Sequence, residues 1–188
     1  MIGLCSTNPI WIGVGAVFLA ATIWIHYQVK VESRGARSGE SVRQLGSVKV
    51  QEPAPNFSAR DLDGNEAVLD SFHGEKVVLL DFWATWCGPC RMAMPHLQTL
   101  HDNFKSHGLE ILSVNLREPA PQVKQFIDKK KYTFRVVLDE NGVISDQYGV
   151  RAIPTVVVVD KQGLVQWLQV GFSESKELDQ LIKRLTKE

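Results

Sequence analysis

Cys87 and Cys90 are the residues of this chain whose type and spacing could carry out redox chemistry. They are separated by Gly88 and Pro89, a pair that lets the backbone turn into a helix whose first turn tolerates a proline. Cys87 would then lie at the helix N-terminus, where free N–H groups and the helix dipole favour a thiolate. Cys90 would lie one turn further on, close enough to attack a mixed disulfide formed on Cys87. The spacing therefore predicts a redox-active disulfide, with Cys87 as the nucleophile and Cys90 as the resolving thiol.

Two other uses of this cysteine pair are open, a zinc half-site and a pair of buried structural thiols. A zinc site would need a second pair of ligands at matching spacing. The sequence has three cysteines and contains neither a second cysteine pair nor a His-x-x-x-His pair. The third cysteine, Cys5, lies near the N-terminus and is interpreted as a spare thiol. Redox chemistry is the favoured prediction, and no metal is expected.

Asp81 is a candidate catalytic residue on the segment that leads into the cysteines. An apolar run that starts at Val77 is too short for a helix and predicts a buried strand. Asp81 lies on this strand, six residues before Cys87. A carboxyl group at the end of an apolar strand should have a raised pKa, which suits a group that accepts the proton of a reacting thiol near neutral pH. The alternative is an ordinary charged strand end in a salt bridge.

Two motifs resemble the signatures of the thioredoxin superfamily. Residues 81–90 (Asp-Phe-Trp-Ala-Thr-Trp-Cys-Gly-Pro-Cys) resemble its active-site motif, in which Asp81 matches a buried aspartate. Residues 148–155 (Tyr-Gly-Val-Arg-Ala-Ile-Pro-Thr) resemble its second motif, in which a cis-proline packs against the cysteines. The resemblance implies a cis peptide at Ile153–Pro154 that exposes backbone for pairing with a substrate strand. The predicted substrate-binding residues are Trp86, Ile153, Pro154 and Gly171.

The surrounding segments resemble the membrane-tethered TlpA/ResA-like branch of that superfamily. An Ala-Pro-Asn-Phe opening at residues 54–57 precedes a predicted hairpin that turns at Asp63-Gly64-Asn65. A helix and a strand are predicted within residues 117–137, where minimal thioredoxin has no such insertion. The predicted fold class is α/β, a thioredoxin-like fold with a central mixed β-sheet flanked by helices, an N-terminal β-hairpin and a central helix-strand insertion. The branch often carries a glutamate three residues after the second cysteine, where this chain has Ala93.

An uncharged stretch of 18 residues, Ile10 to Tyr27, predicts a membrane anchor. It could cross a bilayer core of about 30 Å at 1.5 Å per residue if its flanks contribute, and Trp11 and Trp24 suit interfacial anchors. The alternatives are a cleaved signal peptide, which would need a basic n-region and a cleavage site, and a buried helix, which would show polar positions at helical spacing. We predict an N-terminal transmembrane anchor at 1–28, a flexible linker at 29–50 and a thioredoxin-like domain at 51–188.

The expected side of the membrane depends on which signal is followed. Four basic residues follow the predicted anchor and none precedes it, which by the positive-inside rule favours a cytoplasmic domain. The TlpA/ResA-like resemblance implies a domain outside the cytoplasm. We expect a single-pass anchor in the cell membrane and an extracytoplasmic (periplasmic) catalytic domain. The four basic residues are Lys30, Arg34, Arg37 and Arg43.

The resemblance implies a membrane-tethered thiol:disulfide oxidoreductase that reduces protein disulfides. In some members of the branch these disulfides belong to apocytochrome c, before haem attachment. Electrons would come from a membrane-embedded thiol donor, and no bound cofactor is expected. Lysine and arginine together equal aspartate and glutamate at 21 each, so no nucleic-acid partner is predicted.

Two alternative functions are considered, a peroxiredoxin-like peroxidase and a non-catalytic binding module or chaperone with a thioredoxin fold. Peroxiredoxins share the Ala-Pro-Asn-Phe type of opening. They also place a threonine three residues before the reactive cysteine and a proline further upstream, where this chain has Ala84 and Leu80. Reduction of insulin disulfides would separate the oxidoreductase from the binding module.

Overall fold

The computed structural model describes residues 40–173 and 175–187. Within these residues, no helix combines the length and the apolar character needed to cross a membrane. The predicted anchor at residues 1–28, the first part of the predicted linker and Cys5 all lie outside the described residues.

The described residues form ten strands. They are β1 Glu40–Ser41, β2 Gln44–Leu45, β3 Val48–Lys49, β4 Ser58–Arg60, β5 Glu66–Val68, β6 Val77–Trp83, β7 Leu109–Leu116, β8 Arg135–Asp139, β9 Thr155–Val159 and β10 Val165–Val170. Six of them form a mixed sheet in the order β1-β10-β9-β6-β7-β8. The pairs β6–β7 and β7–β8 are parallel, whereas β6–β9, β9–β10 and β1–β10 are antiparallel. Two short antiparallel pairs, β2–β3 and β4–β5, lie outside this sheet.

Helices cover both faces of the sheet. The helices are α1 Gly88–Phe104, α2 Ala120–Lys130, α3 Val143–Gln147 and α4 Lys176–Leu185. Helices α1, α2 and α4 pack on one face, and α3 packs on the other together with the β4–β5 hairpin region. The predicted thioredoxin-like α/β fold, with its hairpin and its helix-strand insertion, is therefore confirmed.

Strand β6 divides the two cores. Its side chains alternate between the two faces because successive residues of a strand point in opposite directions. Val77, Leu79 and Trp83 belong to the core under α1, and Val78, Leu80 and Phe82 belong to the other core. Asp81 has the same parity as Leu79 and Trp83, so the alternation places it on the face that α1 covers.

The predicted flexible linker at 29–50 ends earlier than the sequence indicated. Residues 40–49 form β1, β2 and β3, and β1 extends the central sheet by pairing with β10. Val48 is buried in the core on the α3 side. The sequence does not predict these strands, because the segment is polar and strands of two residues are too short to show alternating apolar and polar residues.

Ser175 caps the last helix, α4, which begins at Lys176. The Ser175 hydroxyl accepts a hydrogen bond from the N–H of Leu178 at 3.3 Å. The helix packs on the sheet through one apolar face, whose four members are buried: Leu178, Leu181, Ile182 and Leu185.

Candidate active site

Cys87 caps the N-terminus of α1. Its backbone is extended, with φ −76° and ψ 107°, and Gly88 begins the helix with Pro89 in the first turn. The Cys87 sulfur accepts a hydrogen bond from the N–H of Cys90 at 3.2 Å. The structure holds the two cysteines as a disulfide, and both are buried, Cys87 with 4% of its surface exposed. A Cys87 thiolate released from this bond would lie among the free N–H groups of the helix, which favour negative charge.

Asp81 is buried on the face of β6 that α1 covers, with 1% of its surface exposed. Ser113, its register neighbour on β7, donates a hydrogen bond to Asp81 Oδ2 at 3.3 Å, while Oδ1 has no partner in the described part of the chain. Burial raises the pKa of this carboxyl from its ordinary 3.8 to about 7, and the bond from Ser113 opposes that rise. The alternative of a strand-end salt bridge is wrong, because no cation of residues 40–173 or 175–187 pairs with Asp81.

The second motif forms a tight corner before β9. The Ile153–Pro154 peptide is cis, as predicted. Pro154 is buried, and its C=O accepts a hydrogen bond from the N–H of Gly171 at 2.7 Å. Ile153 is half-buried, and neither its N–H nor its C=O is hydrogen-bonded within the described residues. The corner thus offers a donor and an acceptor to an extended partner chain.

Trp86 and Ile153 both line a groove with a volume of about 250 Å³. Trp86 is 70% exposed, which is unusual for so large an apolar side chain. Pro154 and Gly171, the other two predicted substrate-binding residues, are not among the residues that line this groove; the N–H of Gly171 donates to the C=O of Pro154. The lining residues are Trp86, Leu116, Arg117, Val150, Arg151, Ala152 and Ile153.

Glu118 is a residue of the site that sequence reasoning missed. It is buried, and its carboxylate accepts four hydrogen bonds, one for each lone pair. Oε2 accepts from the N–H of Thr85 at 2.6 Å and from Asn115 at 2.8 Å, and Oε1 accepts from the Thr85 hydroxyl at 2.5 Å and from Gln122 at 2.6 Å. Glu118 therefore ties the loop that precedes Cys87 to the end of β7.

A topological signal could have identified Glu118. Thr85 and Glu118 each lie two residues beyond the end of a strand, β6 and β7 respectively. These strands are parallel neighbours, so their carboxyl ends meet at one edge of the sheet, where the sites of α/β proteins are found. The position where the TlpA/ResA-like branch often has a glutamate is Ala93, which is half-buried.

Comparison with known proteins assigns the chain to a family. The sequence profile of the AhpC/TSA family matches residues 50–168, more than half of the chain. The chain belongs to the AhpC/TSA family. The matched residues include the β4–β5 hairpin, both motifs and Glu118.

Relatives of this AhpC/TSA protein are named as thiol:disulfide proteins or as a thioredoxin-like protein. It is 35% identical over 139 residues to "Thiol-disulfide oxidoreductase ResA" of Geobacillus thermodenitrificans, covering 74% of this chain and 79% of the relative. It is 36% identical over 143 residues to "Thioredoxin-like protein YneN" of Bacillus subtilis, covering 74% and 82%. A solved structure from Chlorobium tepidum, assigned as thiol:disulfide interchange protein DsbE, superposes with a TM-score of 0.70 at 32% identity over 74% of this chain and 99% of that one. This AhpC/TSA protein is accordingly a thiol:disulfide oxidoreductase of the thioredoxin-like fold.

Proposed function

We propose that this oxidoreductase works as a membrane-tethered reductase of protein disulfides on the extracytoplasmic side. The observation that carries the redox part is the Cys87–Cys90 pair at the start of α1, next to an exposed groove lined by Trp86 and Ile153. The tether rests on the stretch Ile10–Tyr27, and the extracytoplasmic side and the client, with apocytochrome c as one candidate, rest on the TlpA/ResA-like resemblance.

The proposed reaction has two exchange steps. The Cys87 thiolate attacks one sulfur of the client disulfide, forms a mixed disulfide and expels the other client sulfur as a thiolate. The Cys90 thiolate then attacks the Cys87 sulfur, forms the Cys87–Cys90 disulfide and expels the remaining client thiolate, which takes up a proton. Two electrons thereby pass to the client, and a dithiol donor, proposed to lie in the membrane, must return them to Cys87 and Cys90.

Asp81 is proposed to accept the proton of Cys90 before the second step. A carboxyl group with a pKa of about 7 is partly ionised at neutral pH and can both take up and release a proton there. Its position on the α1 side of β6 supports this role, because the same core contains both cysteines.

Client binding is proposed to use backbone pairing at Ile153. An extended client segment that pairs with the N–H and C=O of Ile153 would be held across the groove, and Trp86 would cover its side chains. Because main-chain pairing is independent of client sequence, this arrangement suits a disulfide presented by an extended polypeptide.

The peroxidase alternative has less support at the residue level. The positions that carry threonine and proline in peroxiredoxins are Ala84 and Leu80, both fully buried and without a hydroxyl group. Cys90 would also have no role in a peroxidase that used Cys87 alone. The disulfide between Cys87 and Cys90 instead suits dithiol exchange.

Turnover of insulin disulfides tests the proposed activity. The full chain, recycled with dithiothreitol, should reduce insulin well above the dithiothreitol background, and Cys87→Ser should fall to that background. A wild-type rate equal to the background would contradict the reductase and leave the binding-module alternative. A hydroperoxide turned over faster than insulin would instead favour the peroxidase.

A further inference from the structure

The groove beside Cys87 is positively charged as well as aromatic. Two of its lining residues, Arg117 and Arg151, carry permanent positive charge, and none of the described residues that line it is acidic. The whole chain has equal numbers of basic and acidic residues, so this bias is local to the groove. A groove lined by one sign of charge raises the local concentration of segments of the opposite sign.

The two arginines are not equally available to a client. Arg117 is paired with Asp146, whose carboxylate oxygens lie 3.2 and 3.3 Å from the guanidinium. Arg151 is exposed and forms no ion pair within residues 40–173 and 175–187. It precedes Ile153 by two residues, so a client segment paired at Ile153 would run past its guanidinium. Arg151 is therefore the cation that a client would meet.

The nearby carboxylates do not neutralise Arg151. Asp146 is committed to Arg117, and Glu118 is buried with its lone pairs filled by four donors from neighbouring residues. The apolar members of the groove, among them Val150 and Ile153, would exclude water beside a bound segment. A negatively charged group that enters the groove would therefore pair with Arg151, and no acidic residue among the described lining residues would compete for that arginine.

We propose that this groove selects client polypeptides that carry an acidic side chain within one or two residues of the disulfide cysteine, and that Arg151 reads that charge. The inference rests on the proposed reductase function and names its substrate class. A basic neighbour in the client would meet Arg151 as a like charge, so selection has an attractive and a repulsive part. Exposed ion pairs are individually weak, so the two parts together predict a preference of about threefold to tenfold.

Three cyclic peptides with one disulfide test this proposal. They are identical except for the residue before the first cysteine, which is Glu, Gln or Lys. The reduced full chain is mixed with each peptide, and the second-order rate constant of peptide reduction is measured after acid quench. Each value is divided by the rate constant with dithiothreitol, because a neighbouring charge also changes the reactivity of the disulfide towards any thiolate. The thiolate of dithiothreitol attacks without a binding groove or a cationic side chain, so the normalised rates report the contribution of the protein.

The wild-type chain should reduce the Glu peptide about threefold to tenfold faster than the Lys peptide, with the Gln peptide between them. The ratio should shrink towards one at about 0.5 M salt, because exposed charges are then screened. Arg151→Gln should reduce the ratio and Arg151→Glu should invert it. Arg60→Gln, in the hairpin and outside the groove, should keep the wild-type ratio.

Equal normalised rates for the three peptides in the wild type would overturn this inference and leave the reductase intact. A ratio that Arg151→Gln and Arg60→Gln change equally would overturn it as well, since the charge would then act at long range. If the wild-type chain reduced none of the peptides, the proposed function itself would fail, and the client preference with it.

Discussion

The raised pKa of Asp81 makes the stability of the protein depend on pH. The pKa of this carboxyl is about 7 in the folded protein and has its ordinary value of 3.8 in the unfolded chain. The folded state therefore binds the proton more tightly, and stability is fully present below pH 3.8 and declines as pH rises to about 7. Above that pH the free energy of unfolding is lower by up to about 4 kcal/mol, a value that follows from the separation of the two pKa values.

Asp81→Asn should remove this pH dependence. The amide is uncharged and nearly the same size, so the oxidised variant should be more stable than the wild type at pH 8, and the difference should vanish towards pH 4. Urea unfolding of both proteins across this range measures it. A constant difference between the two proteins from pH 4 to 8 would show that Asp81 titrates with an ordinary pKa.

Glu118 should be needed for the geometry of the loop before Cys87. In Glu118→Gln, an NH₂ group must face two of the four donors that the carboxylate now satisfies, and an unsatisfied buried group costs about 1–3 kcal/mol. We expect the free energy of unfolding to fall by that amount and the reaction of Cys87 with a disulfide to slow. The exposed Glu75→Gln is the matched control and should change stability by less than about 0.5 kcal/mol. Equal effects of the two substitutions would show that the network does not hold the loop.

At the scale of elements, residues 40–50 are built into the domain through a close contact between two glycines. Gly46 lies in the turn between β2 and β3, and Gly149 lies in the second motif, before the Ile153–Pro154 corner. A Cβ on Gly149 would lie 2.7 Å from the Cα of Gly46, closer than real atoms approach. This contact fixes the N-terminal segment against the motif that shapes the groove.

Gly149→Ala should therefore destabilise the domain more than a glycine substitution in open space. Gly149 has φ +67°, and a Cβ added there would meet backbone atoms. Gly64, in the hairpin turn, has φ +83°, and a Cβ added there would have no atom of the described residues within 4 Å. A left-handed backbone conformation alone costs about 1–2 kcal/mol for alanine. The free energy of unfolding should therefore fall by about that amount in Gly64→Ala and by clearly more in Gly149→Ala. Chemical denaturation of the two variants and the wild type measures both losses. Equal losses of stability in the two variants would mean that residues 40–50 can move away from Gly149 to make room for the added methyl group.

At the scale of the whole molecule, the sequence predicts the reactive residues better than it predicts the contacts that hold them in place. The Cys87–Cys90 helix start, the buried strand and Asp81 were all readable because each has a local signature in residue type and spacing. Glu118 and the β1–β10 pairing were not, since both arise from contacts between segments distant in the chain. Arg151 has no local signature either, because its significance comes from the groove around it.

Membrane topology is the prediction that concerns the whole chain. We expect Ile10–Tyr27 to anchor it and the domain to lie outside the cytoplasm, against the basic residues that follow the stretch. A periplasmic-active reporter fused after Arg43 should be active, and a cytoplasmic-active reporter at the same position should be silent. The opposite pattern would contradict the extracytoplasmic assignment, leave the redox chemistry intact and require a cytoplasmic client.

The division of labour between Cys87 and Cys90 is the central claim, and trapping of the mixed disulfide tests it most directly. Reduced Cys90→Ser and Cys87→Ser full-length variants are each incubated with insulin, and adducts are quantified by mass spectrometry without reductant. Cys90→Ser should accumulate an adduct through Cys87, because no thiol remains to resolve it, and Cys87→Ser should form little. An adduct that forms as readily through Cys90 in Cys87→Ser, or no adduct in either variant, would contradict the account.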